Sequence, residues 1–174
     1  MQLSVEEVIS KFGEPGKLEN LKSIELPYPF YLDWDLTKSV NHTTCHKDIA
    51  EQSLAAFNEI LSVYGLTKIH ELGIDQFGGC FNFRPQRGYE TQYNAAIARG
   101  DLHAAKKYLS RHSWAIAYDF DPNRNLLKET KKTARFARPE YKEMFAIFYK
   151  HGFIGYGPER DNDWMHIEFY KPAL

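Results

Sequence analysis

Cysteine is scarce in this chain of 174 residues, and the two that occur, Cys45 and Cys80, form no closely spaced pair. A zinc ribbon needs paired cysteines, so the absence of any Cys-x-x-Cys element argues against that class of site. The first seven residues are too polar for the apolar region of a secretory signal. We therefore expect synthesis in the cytoplasm without a signal peptide, where both thiols stay reduced.

Long apolar runs, an excess of one charge, and nucleotide or serine-hydrolase motifs are also missing. No apolar stretch approaches the roughly 20 residues that a membrane-spanning helix needs. The formal net charge is -1 without a long basic run, which argues against nucleic acid as a partner. Neither a glycine-rich phosphate loop nor a Gly-x-Ser-x-Gly elbow occurs, which argues against a nucleotide enzyme and a serine hydrolase.

The composition that remains is typical of a folded globular domain. Hydrophobic residues make up 43% of the chain and charged residues 26%. We expect one domain over residues 1–174, because a chain of this length buries most of its apolar surface around a single core. Aromatic residues are abundant at 15%, which suits either a compact core or an aromatic-lined cleft.

Residues 110–121 combine a strand pattern with two candidate metal ligands. With period two from Ser113, bulky side chains alternate with two alanines and Asp119, so one face suits a core. The other face carries the small alanines, so a ligand can approach the backbone there. His112 precedes this run on a predicted loop, from which its ring can fold back towards Asp119. An imidazole and a carboxylate are two of the three protein ligands that a catalytic zinc commonly uses.

A second strand with a histidine is predicted near the C-terminus, in residues 163–169. Apolar residues alternate there with a face that carries His166 and Glu168. If the two strands pair, His166 completes a three-ligand site with the open position of a catalytic zinc. Asp163 is the candidate general base for a water whose pKa the zinc lowers to about 7, and Asp161 is its rival. Because Asp163 lies three residues before His166, a turn or bulge is required between them.

These residues resemble the motifs of a known family. The pattern Ser110-x-His112-x-x-Ala115-x-Ala117-x-Asp119 resembles the Ser-x-His-x-x-Gly-x-Ala-x-Asp signature of zinc D-alanyl-D-alanine carboxypeptidases. The vancomycin-resistance D,D-dipeptidases and the L-alanyl-D-glutamate endopeptidases of bacteriophages belong to the same family. Asp163-x-x-His166 is similar to its acidic-x-x-His element, and residues 77–84 are similar to the segment with its active-site arginine. The three motifs occur in the family's order between residues 45 and 170.

One position departs from the family signature, because Ala115 stands where the family usually has glycine. The Cβ of alanine requires either a φ below zero or a slightly narrower pocket. This departure affects the fit of a substrate more than the binding of a metal.

The resemblance implies an α+β fold: a small, mainly antiparallel sheet with packed helices, the zinc fold that also occurs in Hedgehog domains. It implies one catalytic zinc ion (Zn2+) held by His112, Asp119 and His166. Asp163 then acts as the general base. Arg84 is the cation that holds the scissile carbonyl oxygen or a substrate carboxylate.

Other residues around the site have alternative interpretations. Ser110 is expected to bind substrate or backbone near the metal, and Arg87 is the alternative to Arg84 as the cation that binds the substrate. Trp114 is expected to support the substrate site, with packing as the alternative. Glu168 either orients an imidazole or forms a surface ion pair. A rival metal site at His42 and His46 requires both residues to be helical.

The remaining segments predict helices around the strand pair. A capping box at Ser4 and Glu7 begins a short helix that Gly13 ends. Residues 46–64 form the strongest helix, ended by Gly65, and residues 67–72 form a short strand. A further strand covers residues 80–84. Helices are also predicted in residues 89–109, with a break at Gly100, and in residues 140–150.

Two segments have less regular predictions. In residues 18–40, Pro27 and Pro29 exclude a helix or a central strand, so we expect an extended aromatic segment over the core or at the cleft rim. The densest basic stretch predicts a solvated helix face, with contact to an anionic cell-wall polymer as the alternative. It consists of Lys128, Lys131, Lys132, Arg135 and Arg138.

These observations predict a zinc metallopeptidase that acts on the stem peptides of peptidoglycan. The bond is either the terminal D-Ala-D-Ala bond or the L-Ala-D-Glu bond. The absence of a signal peptide and of a separate wall-binding domain favours a monomeric phage-type lysin that reaches the wall after release. The alternatives are a non-catalytic zinc-containing binding module and a cytosolic D,D-dipeptidase.

Overall fold

The computed structural model describes residues 2–171 and has an α+β fold built on a six-stranded sheet. The strands are β1 (Leu21–Leu32), β2 (Asp35–His46), β3 (Gln76–Gly79), β4 (Ala117–Phe120), β5 (Phe153–Gly155) and β6 (His166–Phe169). The α-helices are α1 (Val5–Phe12), α2 (Ala50–Leu72), α3 (Glu90–Ala98), α4 (Leu102–Lys106), α5 (Lys142–Lys150) and α6 (Tyr156–Arg160). The strand order is β2-β1-β3-β4-β6-β5, and only β1 and β3 pair in parallel within the described residues. The predicted mainly antiparallel α+β fold is therefore confirmed.

The two strands that carry ligand candidates lie side by side in the sheet. β4 and β6 pair antiparallel, with Asp119 opposite His166. The other face of β4 enters the aromatic core: the Tyr118 ring lies 5.4 Å from that of Phe57 in α2. Such aromatic pairs add about 0.5–1.5 kcal/mol each to the burial of their surface. The alternation read from the sequence thus places α2 on one face of the sheet and the ligands on the other.

Helix α1 begins and ends as its sequence predicts. The Ser4 hydroxyl accepts a hydrogen bond from the Glu7 amide at 3.1 Å, and the Glu7 carboxylate accepts one from the Ser4 amide at 2.7 Å. Gly13 ends the helix with a φ of 78°. Phe12 packs edge-on against Phe169 with ring centroids 5.8 Å apart, which joins α1 to β6.

The prediction that prolines exclude a central strand is wrong for residues 21–32. β1 lies between β2 and β3, although it contains Pro27 and Pro29. Its pairing with β2 is interrupted between Glu25 and Phe30. Its pairing with β3 involves only Tyr31 and Leu32. The prolines therefore lie at an irregularity in the ladder, where their missing N–H groups are tolerated.

The predicted strand over residues 67–72 is also wrong, because this segment continues α2. Gly65 interrupts the helix with a φ of 74° and a ψ of 159°, and the chain then resumes helical geometry until Gly73. The glycine was correctly identified as a break, but a break in a helix does not by itself change the type of the following element.

The predicted strand over residues 80–84 is wrong, and β3 instead covers the preceding residues 76–79. Residues 82–84 are held by residues 110–113. The Asn82 amide donates to the His112 carbonyl at 3.1 Å, and the Arg84 amide donates to the Ser113 hydroxyl at 3.1 Å. These contacts fix Arg84 beside the segment that carries His112.

The other helical predictions are confirmed, whereas the basic stretch is not a helix face. α3 and α4 are separated at Gly100, and the Asp101 carboxylate caps α4 by accepting from the Ala104 amide. Residues 128–138 form turns and a short 3₁₀ helix, in which Arg135 donates to the Tyr141 hydroxyl.

Cys45 and Cys80 are both buried and unpaired. Within residues 2–171, none of the helices combines the length and apolar character that crossing a membrane requires.

Candidate metal centre

His112 lies in a short 3₁₀ helix rather than on the predicted loop, and the predicted strand from Ser113 begins only at Ala117. The helix spans Arg111–Trp114, and the Ser110 hydroxyl accepts from the His112 amide at 3.4 Å at its start. Ala115 ends it in the left-handed region with a φ of 56°. This conformation costs an alanine about 1–2 kcal/mol, which explains why glycine suits the position.

The expected φ below zero for Ala115 is wrong, because its φ is positive. Its methyl group is fully buried, and Ala115 is not among the described residues that line the cleft beside Asp119 and His166. The alanine therefore strains the backbone from outside the cleft lining.

The three candidate ligands meet at one buried point. His112 Nε2 lies 3.1 Å from one carboxylate oxygen of Asp119, and His166 Nδ1 lies 3.1 Å from the other. One ligand atom from each residue lies within 4.8 Å of the others. The three side chains are nearly inaccessible to solvent, with relative exposures of 2%, 8% and 6% for His112, Asp119 and His166.

Contacts behind the imidazoles determine which ring nitrogens face Asp119. His112 Nδ1 lies 2.7 Å from the Cys80 carbonyl, which can only accept, so this nitrogen carries the proton. His166 Nε2 lies 3.1 Å from the Glu168 carboxylate, which also accepts a hydrogen bond from the Tyr156 hydroxyl at 2.7 Å. Such partners orient metal-binding histidines in proteins. The predicted role of Glu168 in orienting an imidazole matches this contact, since Glu168 is buried rather than part of a surface ion pair.

The arrangement fits a bound cation. His112 Nε2 is buried and has no hydrogen-bond partner among the described residues. In the neutral ring its lone pair faces the carboxylate of Asp119, so two acceptors point at each other unless a cation or proton lies between them. An unsatisfied buried group of this kind costs about 1–3 kcal/mol. Two imidazole nitrogens and one carboxylate are a donor set that zinc prefers.

The charges of the three side chains also favour a bound cation. Burial by itself raises the pKa of Asp119, but the two adjacent imidazoles outweigh it and hold that pKa well below its ordinary value. Burial lowers the pKa of His166, whereas the hydrogen bonds to Asp119 and Glu168 raise it to about 10. Without a metal, a proton on His166 supplies the positive charge that the two carboxylates require. A metal ion would therefore displace this proton.

A cleft of about 260 Å³ opens over Asp119 and His166 and contains most of the predicted site residues. Arg84, Arg87, Ser110 and Asp163 all line it. Trp114 does not, because it is buried and its indole donates to the Gly13 carbonyl at 2.9 Å. Trp114 therefore packs, as one of its two interpretations predicted, and it does not line the cleft as a substrate-binding residue would.

Asp163 enters the cleft from the turn that its spacing required. Its φ is 48°, and its carbonyl accepts from the His166 amide at 3.0 Å, so the chain reverses before β6 begins. Burial raises the pKa of the Asp163 carboxyl, and neighbouring His166 opposes that change. The rival Asp161 instead accepts a hydrogen bond from the Lys131 amide and does not line the cleft.

Arg84 is half-buried with its guanidinium in the cleft. Burial lowers its pKa, and the charge of Asp119 opposes that change. One terminal nitrogen donates to the Pro85 carbonyl at 3.1 Å. Ser110 lies close by, since its amide donates to the Arg84 carbonyl at 3.0 Å. The structure thus places a cation, a hydroxyl and a carboxylate around the three candidate ligands.

The rival histidine pair forms no site. His42 and His46 both lie in β2 rather than in a helix, and His42 is exposed. His46 is buried: its Nε2 lies 3.0 Å from the Phe12 carbonyl, and its Nδ1 accepts from the Asp48 amide at 3.2 Å. Among residues 2–171, the only cluster of three or more metal-binding side chains is that of His112, Asp119 and His166.

The sequence reasoning missed nine of the residues that line the cleft, and four of these bear on its chemistry. Gln2, Tyr156 and Arg160 come from the two ends of the chain, and no local pattern connects them. Arg111 also lines the cleft, and its position directly before His112 was the one available signal. The Tyr156 ring lies 4.4 Å from that of His166, so it contacts the candidate metal centre itself.

Comparison with known proteins identifies a related family over the C-terminal part of the chain. Residues 103–169 match a family model described as D-alanyl-D-alanine carboxypeptidase. No curated protein matches the chain. The matched segment contains all three candidate ligands, Ser110 and Asp163, but not Arg84. Over the segment that builds the candidate metal centre, the chain is thus similar to the D-alanyl-D-alanine carboxypeptidases, which supports a peptidase that acts on peptidoglycan.

Proposed function

We propose that this protein is a zinc-dependent peptidase that hydrolyses a bond in the stem peptide of peptidoglycan. The observation that carries the proposal is the buried group of His112, Asp119 and His166, within a segment similar to a peptidase family. The cleft next to this group leaves access for a peptide, whereas a structural zinc site is normally closed by a fourth protein ligand.

The three ligands would hold the ion from the buried end of the cleft. Zinc, when bound, would polarise the scissile carbonyl and lower the pKa of water. His112 would bind through Nε2 and His166 through Nδ1, because their other nitrogens lie against the Cys80 carbonyl and Glu168. These outer contacts prevent the rings from rotating, so that the donor atoms stay directed at one point.

Asp163 would act as the general base and then as the general acid. It takes a proton from the attacking water and returns it to the leaving amine. Its raised pKa suits both steps, because a base works best when its pKa approaches the working pH. Its turn at the entrance to β6 holds the carboxylate in the cleft with Asp119 and His166.

Arg84 would stabilise the negative charge that develops on the carbonyl oxygen or bind a carboxylate of the substrate. Burial makes its hydrogen bonds to an anion stronger than they would be in water. Arg87 and Ser110 lie in the same cleft and would position the peptide. Of the two bonds considered, the family description favours the terminal D-Ala-D-Ala bond over the L-Ala-D-Glu bond.

Mass spectrometry of purified muropeptides tests this proposal. The protein is incubated with them as prepared, after chelation, and after chelation followed by added zinc. Loss of one D-alanine, abolished by the chelator and restored by zinc, is the expected result. Release of the stem at L-Ala would instead identify an endopeptidase. If a stoichiometrically zinc-loaded protein yields no product, the proposed activity is wrong.

A further inference from the structure

The cleft contains more positive charge than the proposed chemistry uses. Arg84, Arg87, Arg111 and Arg160 all line it. Within residues 2–171, none of these four forms a salt bridge with a carboxylate, in contrast to Arg124, which pairs with Asp121 at 2.7 Å. Unpaired arginines that converge on one cleft favour an anionic ligand.

Arg160 is held in place at the rim of the cleft. Its guanidinium lies 3.9 Å from the centre of the Tyr156 ring, and one terminal nitrogen donates to the Gln2 side-chain oxygen. The side-chain nitrogen of Gln2 in turn donates to the Tyr156 hydroxyl. These contacts use one face and one donor of Arg160. No other hydrogen bond of the Arg160 side chain is formed within residues 2–171, so its remaining N–H groups can bind a carboxylate in a restricted orientation.

Arg111 adds a buried positive charge behind this position. Its side chain is 6% exposed, and one terminal nitrogen donates to the Leu3 carbonyl at 2.6 Å. Its Nε and its other terminal nitrogen are buried without a hydrogen-bond partner among the described residues. The buried carboxylate of Glu168 lies within electrostatic reach of Arg111 but does not hydrogen-bond to it. The N–H groups of Arg111 that lack a partner leave a positive potential at the adjacent cleft.

The two pairs of arginines lie next to different parts of the metal centre. Arg160 stacks on Tyr156, whose ring contacts His166 and whose hydroxyl donates to Glu168. Arg111 lies on this side because it donates to Leu3, the neighbour of the Gln2 that Arg160 binds. Arg84 and Arg87 come from the irregular segment after β3 and are held beside the 3₁₀ helix of His112. The cleft therefore presents two distinct cationic positions.

We propose that Arg160 and Arg111 form a second anion subsite, which takes a carboxylate of the peptide other than the one bound by Arg84. This inference rests on the proposed function and narrows its substrate to peptides with two carboxylates. In the stem peptide, the C-terminal D-alanine supplies one carboxylate. The α-carboxylate of the D-glutamyl residue supplies the other, provided that it is not amidated.

Three synthetic peptides test the subsite by binding rather than by turnover. They are the stem pentapeptide L-Ala-γ-D-Glu-L-Lys-D-Ala-D-Ala, the same peptide with an α-carboxamide on the D-glutamyl residue, and the same peptide with a C-terminal amide. Calorimetry measures Kd with the zinc-loaded Asp163→Asn protein, which is expected to cleave the peptides about 100-fold or more slowly than the wild type, and mass spectrometry after each titration checks that they are intact. Arg160→Gln is added in this background. Arg138→Gln is the matched control, because Arg138 is exposed and lies outside the cleft.

We expect Arg160→Gln to weaken binding of the parent peptide about tenfold, as for loss of a hydrogen bond between charged groups. The same substitution should leave binding of the α-carboxamide peptide unchanged, because that peptide has already lost the interaction. It should weaken the parent and the C-terminal amide by the same factor. Arg138→Gln should change none of the three values.

Equal weakening of the parent and α-carboxamide peptides by Arg160→Gln would refute the subsite. So would an unchanged Kd for the parent, or failure of all three peptides to bind. Failure of the proposed function gives a different result: the wild type cleaves no muropeptide while the dependence on Arg160 and the α-carboxylate persists. A melting temperature equal to that of the parent protein shows that Arg160→Gln has not unfolded the chain.

Discussion

Zinc should raise the thermal stability of this protein by an amount that can be estimated. A ligand that binds only the folded state at 100 times its Kd stabilises that state by about 2.7 kcal/mol. For a protein of this length, each kcal/mol corresponds to about 2–4 °C in Tm. We therefore expect zinc to raise the Tm of the chelator-treated protein by about 5–11 °C. The stabilisation comes from placing a cation where His112 Nε2 and Asp119 otherwise face each other as acceptors.

Three variants test whether this effect belongs to the proposed site. His166→Ala removes one ligand and should abolish the zinc-dependent shift. His42→Ala removes an exposed histidine of β2 and should keep the full shift. Glu168→Gln weakens the acceptor behind His166, and loss of such partners typically lowers metal affinity 10–100-fold. A tenfold loss at the same zinc concentration leaves about 1.4 kcal/mol, roughly half of the original shift.

The assay is a series of thermal unfolding curves at increasing zinc concentration, accompanied by elemental analysis of the dialysed protein. One equivalent of zinc in the wild type and in His42→Ala, with none in His166→Ala, is the expected metal content. A shift in His166→Ala as large as in the wild type would show that zinc binds elsewhere. If zinc does not change the Tm of the wild type, the inference that a cation lies at the unpartnered Nε2 of His112 is wrong.

Three further predictions concern the cleft and the core. Asp163→Asn should keep the zinc and lower kcat about 100-fold or more. Elemental analysis and steady-state kinetics measure the two quantities, and loss of zinc in this variant would contradict the role of Asp163 as a base rather than a ligand. Arg84→Lys should also lose activity, because an ammonium cannot reproduce a two-point contact; near-normal kcat/KM would argue against that contact. His46 should make stability fall as the pH falls below about 6.5, its unfolded pKa. Burial lowers the pKa of His46 in the folded state, so in that range the unfolded chain binds more protons. Urea unfolding of the wild type and His46→Gln at pH 7.5 and 5.5 measures the difference, and parallel losses in the two proteins would contradict it.

Local patterns determined several elements and most of the candidate site. The capping box at Ser4 and Glu7 predicts α1 because its two hydrogen bonds join residues only three apart. The strand alternation in residues 117–120 and 166–169 placed Asp119 and His166 on the same side of the sheet, since side chains of a strand alternate between faces. Asp163 and its turn followed from the odd spacing to His166. Each of these inferences depends on neighbouring residues of one element.

Other features were decided by contacts between distant parts of the chain. β1 is a central strand because its prolines fall where the ladder with β2 is interrupted, and nothing in the segment itself specifies that register. Residues 67–72 form a helix that buries Ile69 and Leu72 in the core, and the Leu72 carbonyl accepts a hydrogen bond from the Tyr141 hydroxyl. Trp114 points away from the cleft because the 3₁₀ helix, absent from the predicted strand, directs its indole to the Gly13 carbonyl.

The second cationic position shows most clearly what the tertiary structure adds. Gln2, Tyr156 and Arg160 meet because α1 and α6 both lie near β6, and their separation in sequence hides this contact from any periodicity. The sequence by itself identified the candidate ligands, because Asp119 and His166 lie on predictable strand faces and His112 belongs to the motif that resembles the peptidase family. The fold alone determined which other charges surround those ligands, because electrostatic interactions depend on distances in space and not on positions along the chain.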